Sequence, residues 1–261
     1  MPRFKLRIEY AGTRYSGWQI QKNARTVQGE IDRAIGEVTG EHTFELYGAG
    51  RTDAGVHALG QVAHLDVRTA LPPDSLVGRI NDLLPADIHV LGATKVPHRF
   101  HARHDALART YVYQIARRRT AFAKPFVWWV KDDLRVGAMR DGARAFTGRQ
   151  DFRGFTDDDP GEKSTLVEVA SVEVVDDADA LLIVVEGSHF LWKMVRRMAG
   201  VLVEVGRGGL EPQDVARLLA SPSGLPARLT APASGLFLAR VTYPGDPPSE
   251  VPLPPGPRAR R

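Results

Sequence analysis

The sequence predicts an α+β protein built from two βαββαβ halves, and three observations carry that expectation. Residues 3–10 alternate without fault, with Phe4, Leu6, Ile8 and Tyr10 on one side and Arg3, Lys5, Arg7 and Glu9 on the other, the period of a half-buried strand. Val27, Ile31, Ala34, Ile35 and Val38 recur at helical spacing behind Thr26, a residue type that caps helix N-termini. From about residue 105 onward the same succession of strands and helices returns in looser form.

Each element follows in turn. Gly12 and Gly17 interrupt the first strand, and the Val27 helix comes next. Residues 43–47 read as a strand, 48–60 as a glycine-punctuated stretch and 61–67 as another strand. Leu76, Ile80, Leu83 and Leu84 mark a second helix that Pro85 stops, because proline cannot donate to the preceding turn. A strand over 88–96 completes the ferredoxin-like order. In the second half, strands are expected over 109–117, 165–175, 181–187 and 236–243, with a Trp-bearing apolar segment at 125–130 and a helix over 134–146. Leu191, Met194, Val195, Met198 and Leu202 form the clearest helical stripe, and a short helix starts at Pro212. The expected division is 1–104 and 105–244, two ferredoxin-like halves sharing a mostly antiparallel sheet, helices on one side and a ligand cleft between them. Seven of the last 18 residues are proline, so 245–261 is expected to be an extended, mobile tail.

Composition narrows the function. At 43% apolar and 25% charged residues the chain has the make-up of a folded globular protein. Its longest apolar run, from Ala180 to Val185, is far short of the roughly 20 residues a membrane helix needs, and no signal-peptide stretch opens it, so a cytoplasmic location is expected. The absence of cysteine excludes a disulfide framework, a thiol nucleophile and a thiolate metal site. Net charge is only +4, but arginines outnumber lysines 28 to 7. Arginine's planar fork suits phosphate and stacks on bases, which leans toward a nucleic-acid partner; a base-composition bias of the genome produces the same excess.

Three stretches could carry chemistry. In the first, Gly48-Ala49-Gly50-Arg51-Thr52-Asp53-Ala54-Gly55-Val56-His57-Ala58, small residues leave room for a ligand to approach the backbone, and Arg51, Asp53 and His57 supply every ionisable group. Asp53 could serve there as nucleophile or base, although on spacing alone a carboxylate that caps its own turn is the simpler reading. The second, residues 97–119, holds Arg99, Arg103, Arg109 and Arg117 to Arg119, three histidines (His98, His101, His104) and the aromatics Phe100, Tyr111 and Tyr113, against a single acid. That is the footprint of a nucleic-acid groove and equally of a solvated basic face; Tyr111 and Tyr113 share a strand face and could both be core. The third is the helix start around Lys193, Arg196 and Arg197, where an arginine sunk beside the apolar stripe needs an anionic partner, while for Lys193 and Arg197 the simpler expectation is that their heads reach solvent. The three histidines lie among arginines that would repel a cation, so no metal site is expected.

The ten residues from Gly48 to His57 resemble the signature loop of the TruA-type tRNA pseudouridine synthases. Further matches follow in family order: Tyr15-Ser16-Gly17-Trp18-Gln19, Thr26-Val27-Gln28, Phe100-His101-Ala102-Arg103, Arg109-Thr110-Tyr111, Asp151-Phe152, Phe190-Leu191 with Met194-Val195-Arg196, Ala231-Pro232 and Gly235-Leu236. The resemblance implies isomerisation of uridine to pseudouridine in the tRNA anticodon stem-loop, at positions 38, 39 and 40, by a homodimer that uses neither metal nor organic cofactor. It implies Asp53 as the essential aspartate, Arg196 as its arginine partner, Tyr111 as an active-site tyrosine and Arg51 as an RNA-engaging arginine; Arg103, Arg109 and His57 are expected to join the RNA contacts. Trp192-Lys193, Arg197 and the proline-rich tail depart from the family pattern. The rival from another class is a non-catalytic RNA-binding module of tandem RRM-like sheets, which lacks its aromatic run here. A carboxylate glycosidase would want a second acid near Asp53.

Overall fold

The computed structural model describes residues 1–177 and 180–255 of the chain. They form an α+β protein of ten strands and six α-helices, with antiparallel pairing dominant. The polypeptide falls into two compact units: Met1–Leu107 with Leu238–Pro252, and Ala108–Phe237 with, among the described residues, 253–255.

In the first unit the chain runs β1 (Arg3–Tyr10), α1 (Val27–Thr39), β2 (Glu45–Gly48), β3 (His57–Asp66), α2 (Pro73–Leu83) and β4 (Ile88–Val96). Strand β1 lies between β4 and β3, antiparallel to both, with Leu6 opposite Ala63 and Ala93; β2 pairs with the far end of β3. The alternating face of β1 is the core face: Phe4, Leu6 and Ile8 are fully buried. Thr26 caps α1 by accepting the Gly29 N–H at 3.2 Å, and Gly40 in the left-handed conformation ends it. Asn81 of α2 both donates to the Val90 carbonyl and accepts its N–H, fastening that helix to β4.

The strand expected to close the second half, β10 (Leu236–Thr242), goes from Leu238 onward with the first unit. Long-range bonds hold it there. The Leu107 N–H donates to the Thr242 carbonyl, the Tyr243 hydroxyl donates to the Ala102 carbonyl at 2.6 Å, and Lys5 lies 4.0 Å over the Tyr243 ring. Gly60 admits the strand, since a Cβ there would sit 2.5 Å from the Ala239 carbonyl oxygen.

The second unit contains β5 (Ala108–Ala116), β6 (Trp128–Trp129), α3 (Val136–Ala143), β7 (Gly148–Asp151), β8 (Leu166–Asp177), β9 (Ala180–Gly187), α4 (Met194–Arg207), α5 (Pro212–Ala220) and α6 (Leu225–Arg228). Its sheet runs β5-β9-β8-β7, all antiparallel, and β6 adds to β5 in parallel. The helix expected from Leu191 starts three residues later, because Lys193 adopts φ +60 and breaks the turn. Helix α4 is buried on most of its circumference; Gly200 gives passage to the Leu229 carbonyl, which a side chain would block. Phe146, Phe152 and Phe155 form a fully buried aromatic cluster beside it.

The chain beyond Thr242 is irregular, and its described part makes a few contacts with the rest of its own unit. Arg240 donates to the Ser249 carbonyl, Pro254 is buried, and Gln114 Nε2 donates to the Pro255 carbonyl at 3.0 Å. The rest of the expected tail, 256–261, lies outside the described residues. Among the described residues no helix is long and apolar enough to cross a membrane.

Candidate active site

The glycine-rich stretch becomes a clamped loop in the first unit. The Val56 N–H donates to the Asp53 carbonyl at 3.1 Å, closing a four-residue turn with Gly55 at φ +79, where a left-handed conformation favours glycine. Neighbouring elements grip this turn from several directions. The Trp18 N–H donates to the Thr52 carbonyl, the Gly55 N–H to the Tyr15 carbonyl, and the Thr52 hydroxyl lies 2.8 Å from that of Tyr10. Gln61 Nε2 donates to the Gly50 carbonyl. Thr52 and Val56 are buried anchors on either side of Asp53, which is half-buried, while Ala54 beyond it is exposed.

Close backbone contact makes this clamp possible. A Cβ on Gly12 would lie 1.9 Å from the Val56 carbonyl oxygen, one on Gly17 2.5 Å from that of Thr52, and one on Gly48 2.6 Å from the Trp18 ring nitrogen. His57 serves the same end. It is 1% exposed, and its Nδ1 accepts the Gly12 N–H at 3.0 Å, which puts the ring proton of the neutral form on Nε2. Expected as an RNA contact, His57 is instead an internal strut, and strand β3 begins with it, four residues ahead of the expected start.

Tyr10 and Trp18 escaped the sequence reading as site residues. Tyr10 continues the apolar face of β1, so nothing local distinguishes its hydroxyl from an ordinary buried phenol. Burial pushes its ionisation far up, which keeps the hydroxyl intact as a partner for Thr52. The exposed arginines Arg51 and Arg103 line one recess of this unit together with Trp18, Gln19, Gln28, Tyr47, Gly48 and Gly50.

Behind Arg103 lies a histidine cluster. His64 is buried and accepts the Ala102 N–H at Nδ1; its ring centroid is 4.7 Å from that of His101, which in turn is 4.2 Å from that of His104. Burial first, and then the Arg3 charge, lower the His64 pKa; burial and the neighbouring His104 lower that of His101. Among the described residues no group of three or more histidine or carboxylate side chains is arranged to hold a metal ion.

The remaining expected site residues are in the second unit. Tyr111 on β5 is 8% exposed, its ring edge-on to Phe190 with centroids 5.2 Å apart. Tyr113, two residues on, is fully buried core and donates its hydroxyl to the Pro232 carbonyl at 2.8 Å. Arg109 is also buried, with Nη1 donating to the Ser188 carbonyl, so its guanidinium braces the β9 exit and is not a surface group. Arg196 is half-buried in the first turn of α4. Its Nε donates to the Ala231 carbonyl at 2.8 Å and its own carbonyl accepts the Ala231 N–H, a reciprocal clasp that fixes the stem of the side chain.

Arg197 departs from the expectation that its head reaches solvent, whereas Lys193 meets it, with 31% of its side chain exposed. Both converge on Asp157: Lys193 Nζ donates at 2.8 Å, and Arg197, only 4% exposed, donates through Nη2. The Lys193 and Arg197 hydrogen bonds hold the Asp157 carboxyl below the usual carboxylate range despite partial burial. In sequence Asp157 sits in a run of three aspartates that looks like a solvated loop, so its partner on α4 was invisible there.

A profile of the tRNA pseudouridine synthase family matches residues 7–105 and 143–244 of this chain. The tRNA pseudouridine synthase A of Rhodopseudomonas palustris (strain BisA53) is 43% identical over 246 residues, which span 93% of this chain and 100% of that protein. That of Syntrophotalea carbinolica is also 43% identical, over 92% of this chain and 95% of its own, and a tRNA pseudouridine synthase A 2 of Clostridium tetani is 37% identical over 92% and 98%. The chain therefore belongs to the tRNA pseudouridine synthases, and it is an isomerase that modifies tRNA.

Proposed function

We propose that this enzyme converts uridine to pseudouridine in the anticodon stem-loop of tRNA, at positions 38, 39 and 40, with Asp53 as its catalytic carboxylate. The observation that carries the reading is the clamped turn, in which a half-buried carboxylate stands between two buried anchors and small residues keep its surroundings open. The anticodon-arm positions and the residue roles rest on the resemblance of the loop and its ordered satellites to the TruA-type enzymes.

The reaction breaks the N1–C1′ bond, turns the base and joins C5 to C1′; the C5 proton leaves and N1 gains one, so the change is a net isomerisation. Asp53 can assist by adding to C1′, by adding to C6, or by taking the C2′ proton. In each case it acts ionised, and Arg196 is proposed as the positive charge that offsets the desolvation of the carboxylate. Tyr111 is proposed to stack on the base and relay the C5 proton, Arg51 and Arg103 to bind the RNA strand, and His57 and Arg109 to support the site from within. A paired uridine must be extruded first, at a cost of a few kcal/mol recovered from backbone contacts. The enzyme is proposed to act in the cytoplasm as a homodimer, needing no metal or organic cofactor.

Release of tritium from C5-labelled uridine in tRNA tests the reading. Asp53→Asn is expected to release none while binding tRNA within about tenfold of the parent, since it removes the charge and little volume. Undiminished release by that variant overturns the role of Asp53, and release that is indifferent to anticodon-arm changes overturns the proposed target.

A further inference from the structure

The recess that Arg51 and Arg103 share has a composition of its own. Its charged lining groups are two arginines, Trp18 and Tyr47 supply aromatic surface, and a Cβ at Gly50 would meet nothing within 4 Å, so the backbone there is open to a ligand. The Gln28 amide is already engaged, donating to the Leu46 carbonyl and accepting the Ile20 N–H, and so it helps shape the wall. Two arginines lining one recess, with no acid beside them in its lining, favour an anion with several acceptor oxygens. In an enzyme whose substrate is tRNA, that anion is a backbone phosphodiester.

Arg103 does not reach this recess by chance of a loose loop. Three consecutive amides around it are bound by two imidazoles: the Ala102 N–H donates to His64 Nδ1 at 3.1 Å, and the Arg103 and His104 N–H groups donate to His101 Nδ1 at 3.1 and 3.3 Å. Tyr47, a wall of the recess, stands edge-on to His101 with centroids 5.0 Å apart. The His101 amide is tied in turn to the Asp105 carboxylate, which closes the loop.

We propose that this recess is a phosphodiester subsite for the RNA strand beside the modified uridine, gripped by Arg51 and Arg103, and that His101 and His64 are positioning residues that hold Arg103 over it. The inference rests on the Asp53 loop being the reaction centre: Arg51 precedes Asp53 by two residues, a backbone span of at most about 7 Å. The bound phosphate therefore belongs to a near neighbour of the extruded nucleotide.

Anticodon stem-loop RNAs carrying one uncharged methylphosphonate linkage at a time, scanned around the target, test it. In the parent, neutralising one linkage near the target raises Kd and KM about tenfold, as expected for losing a charge-assisted contact. Arg103 is exposed, so Arg103→Ala folds; it raises KM by a similar factor and is no longer sensitive to that linkage, the non-additivity that marks a direct pair. His101→Leu raises KM in the same way, whereas His101→Asn, whose carboxamide oxygen can accept those amides, restores it. Additive effects of Arg103→Ala and every single linkage overturn the subsite, and equal KM values for His101→Leu and His101→Asn overturn the positioning role. Failure of the catalytic reading is distinguishable, because it appears as tritium release by Asp53→Asn, whereas the linkage scan reads binding.

Discussion

Gly12→Ala isolates the link between backbone approach and the candidate catalytic loop. The added methyl would sit 1.9 Å from the Val56 carbonyl oxygen, whereas ordinary contact begins at 3.4 Å, so the two backbones must separate by about 1.5 Å. Both neighbours of that carbonyl matter. Val56 closes the turn through its bond to the Asp53 carbonyl, and the Gly12 N–H is the donor that His57 holds. Overpacking costs about 1–3 kcal/mol and a lost internal hydrogen bond about 1 kcal/mol. At roughly 2–4 °C per kcal/mol for a chain of this size, the melting midpoint should fall by about 5–15 °C. Displacing a reacting group by about 1 Å costs on the order of a hundredfold in rate, so kcat in the tritium-release assay should fall about that much, with tRNA affinity changed only a few-fold. Gly78→Ala is the control: it lies exposed in α2, a Cβ there meets nothing within 4 Å, and the change should stabilise by up to about 1 kcal/mol with activity intact. A Gly12→Ala enzyme with parental midpoint and kcat would refute the reasoning.

Asp157→Asn should destabilise by about 1–3 kcal/mol in urea unfolding, because it leaves the buried Arg197 without its counter-charge while water reaches the more exposed Asp157 side; an unchanged midpoint contradicts the pairing. Asp66, through its hydrogen bond to Arg3, and Asp157, through those to Lys193 and Arg197, have carboxyls held below their unfolded values. Their stabilisation is therefore complete above pH ~4 and lost as pH falls through the lower folded-state values, and a double Asp66→Asn, Asp157→Asn variant should show a flatter acid limb of stability against pH. Tyr113→Phe should cost about 1–2 kcal/mol of stability by leaving the Pro232 carbonyl without its hydroxyl donor, with kcat unaltered; loss of activity at parental stability would assign Tyr113 a role beyond packing.

The amino-acid order by itself determined what depends on neighbours in sequence. The alternation of β1, the cap of α1 at Thr26, the stop of α2 before Pro85 and the glycine-rich run around Asp53 are all local patterns, since strand and helix periods and turn preferences act over a few residues. The family resemblance was legible for the same reason: its residues are contiguous or follow in order. Only the tertiary structure decided which polar groups meet across long separations. His57 and Gly12 are 45 positions apart, Arg197 and Asp157 are 40 apart, and Tyr243 and Ala102 are 141 apart. Nothing in a local pattern separates a buried histidine that accepts one amide from a surface histidine that meets RNA, or an aspartate that neutralises a buried guanidinium from one in a solvated acidic run. Those distinctions arise when packing removes water, because a polar group then takes whatever partner the fold brings within hydrogen-bond reach.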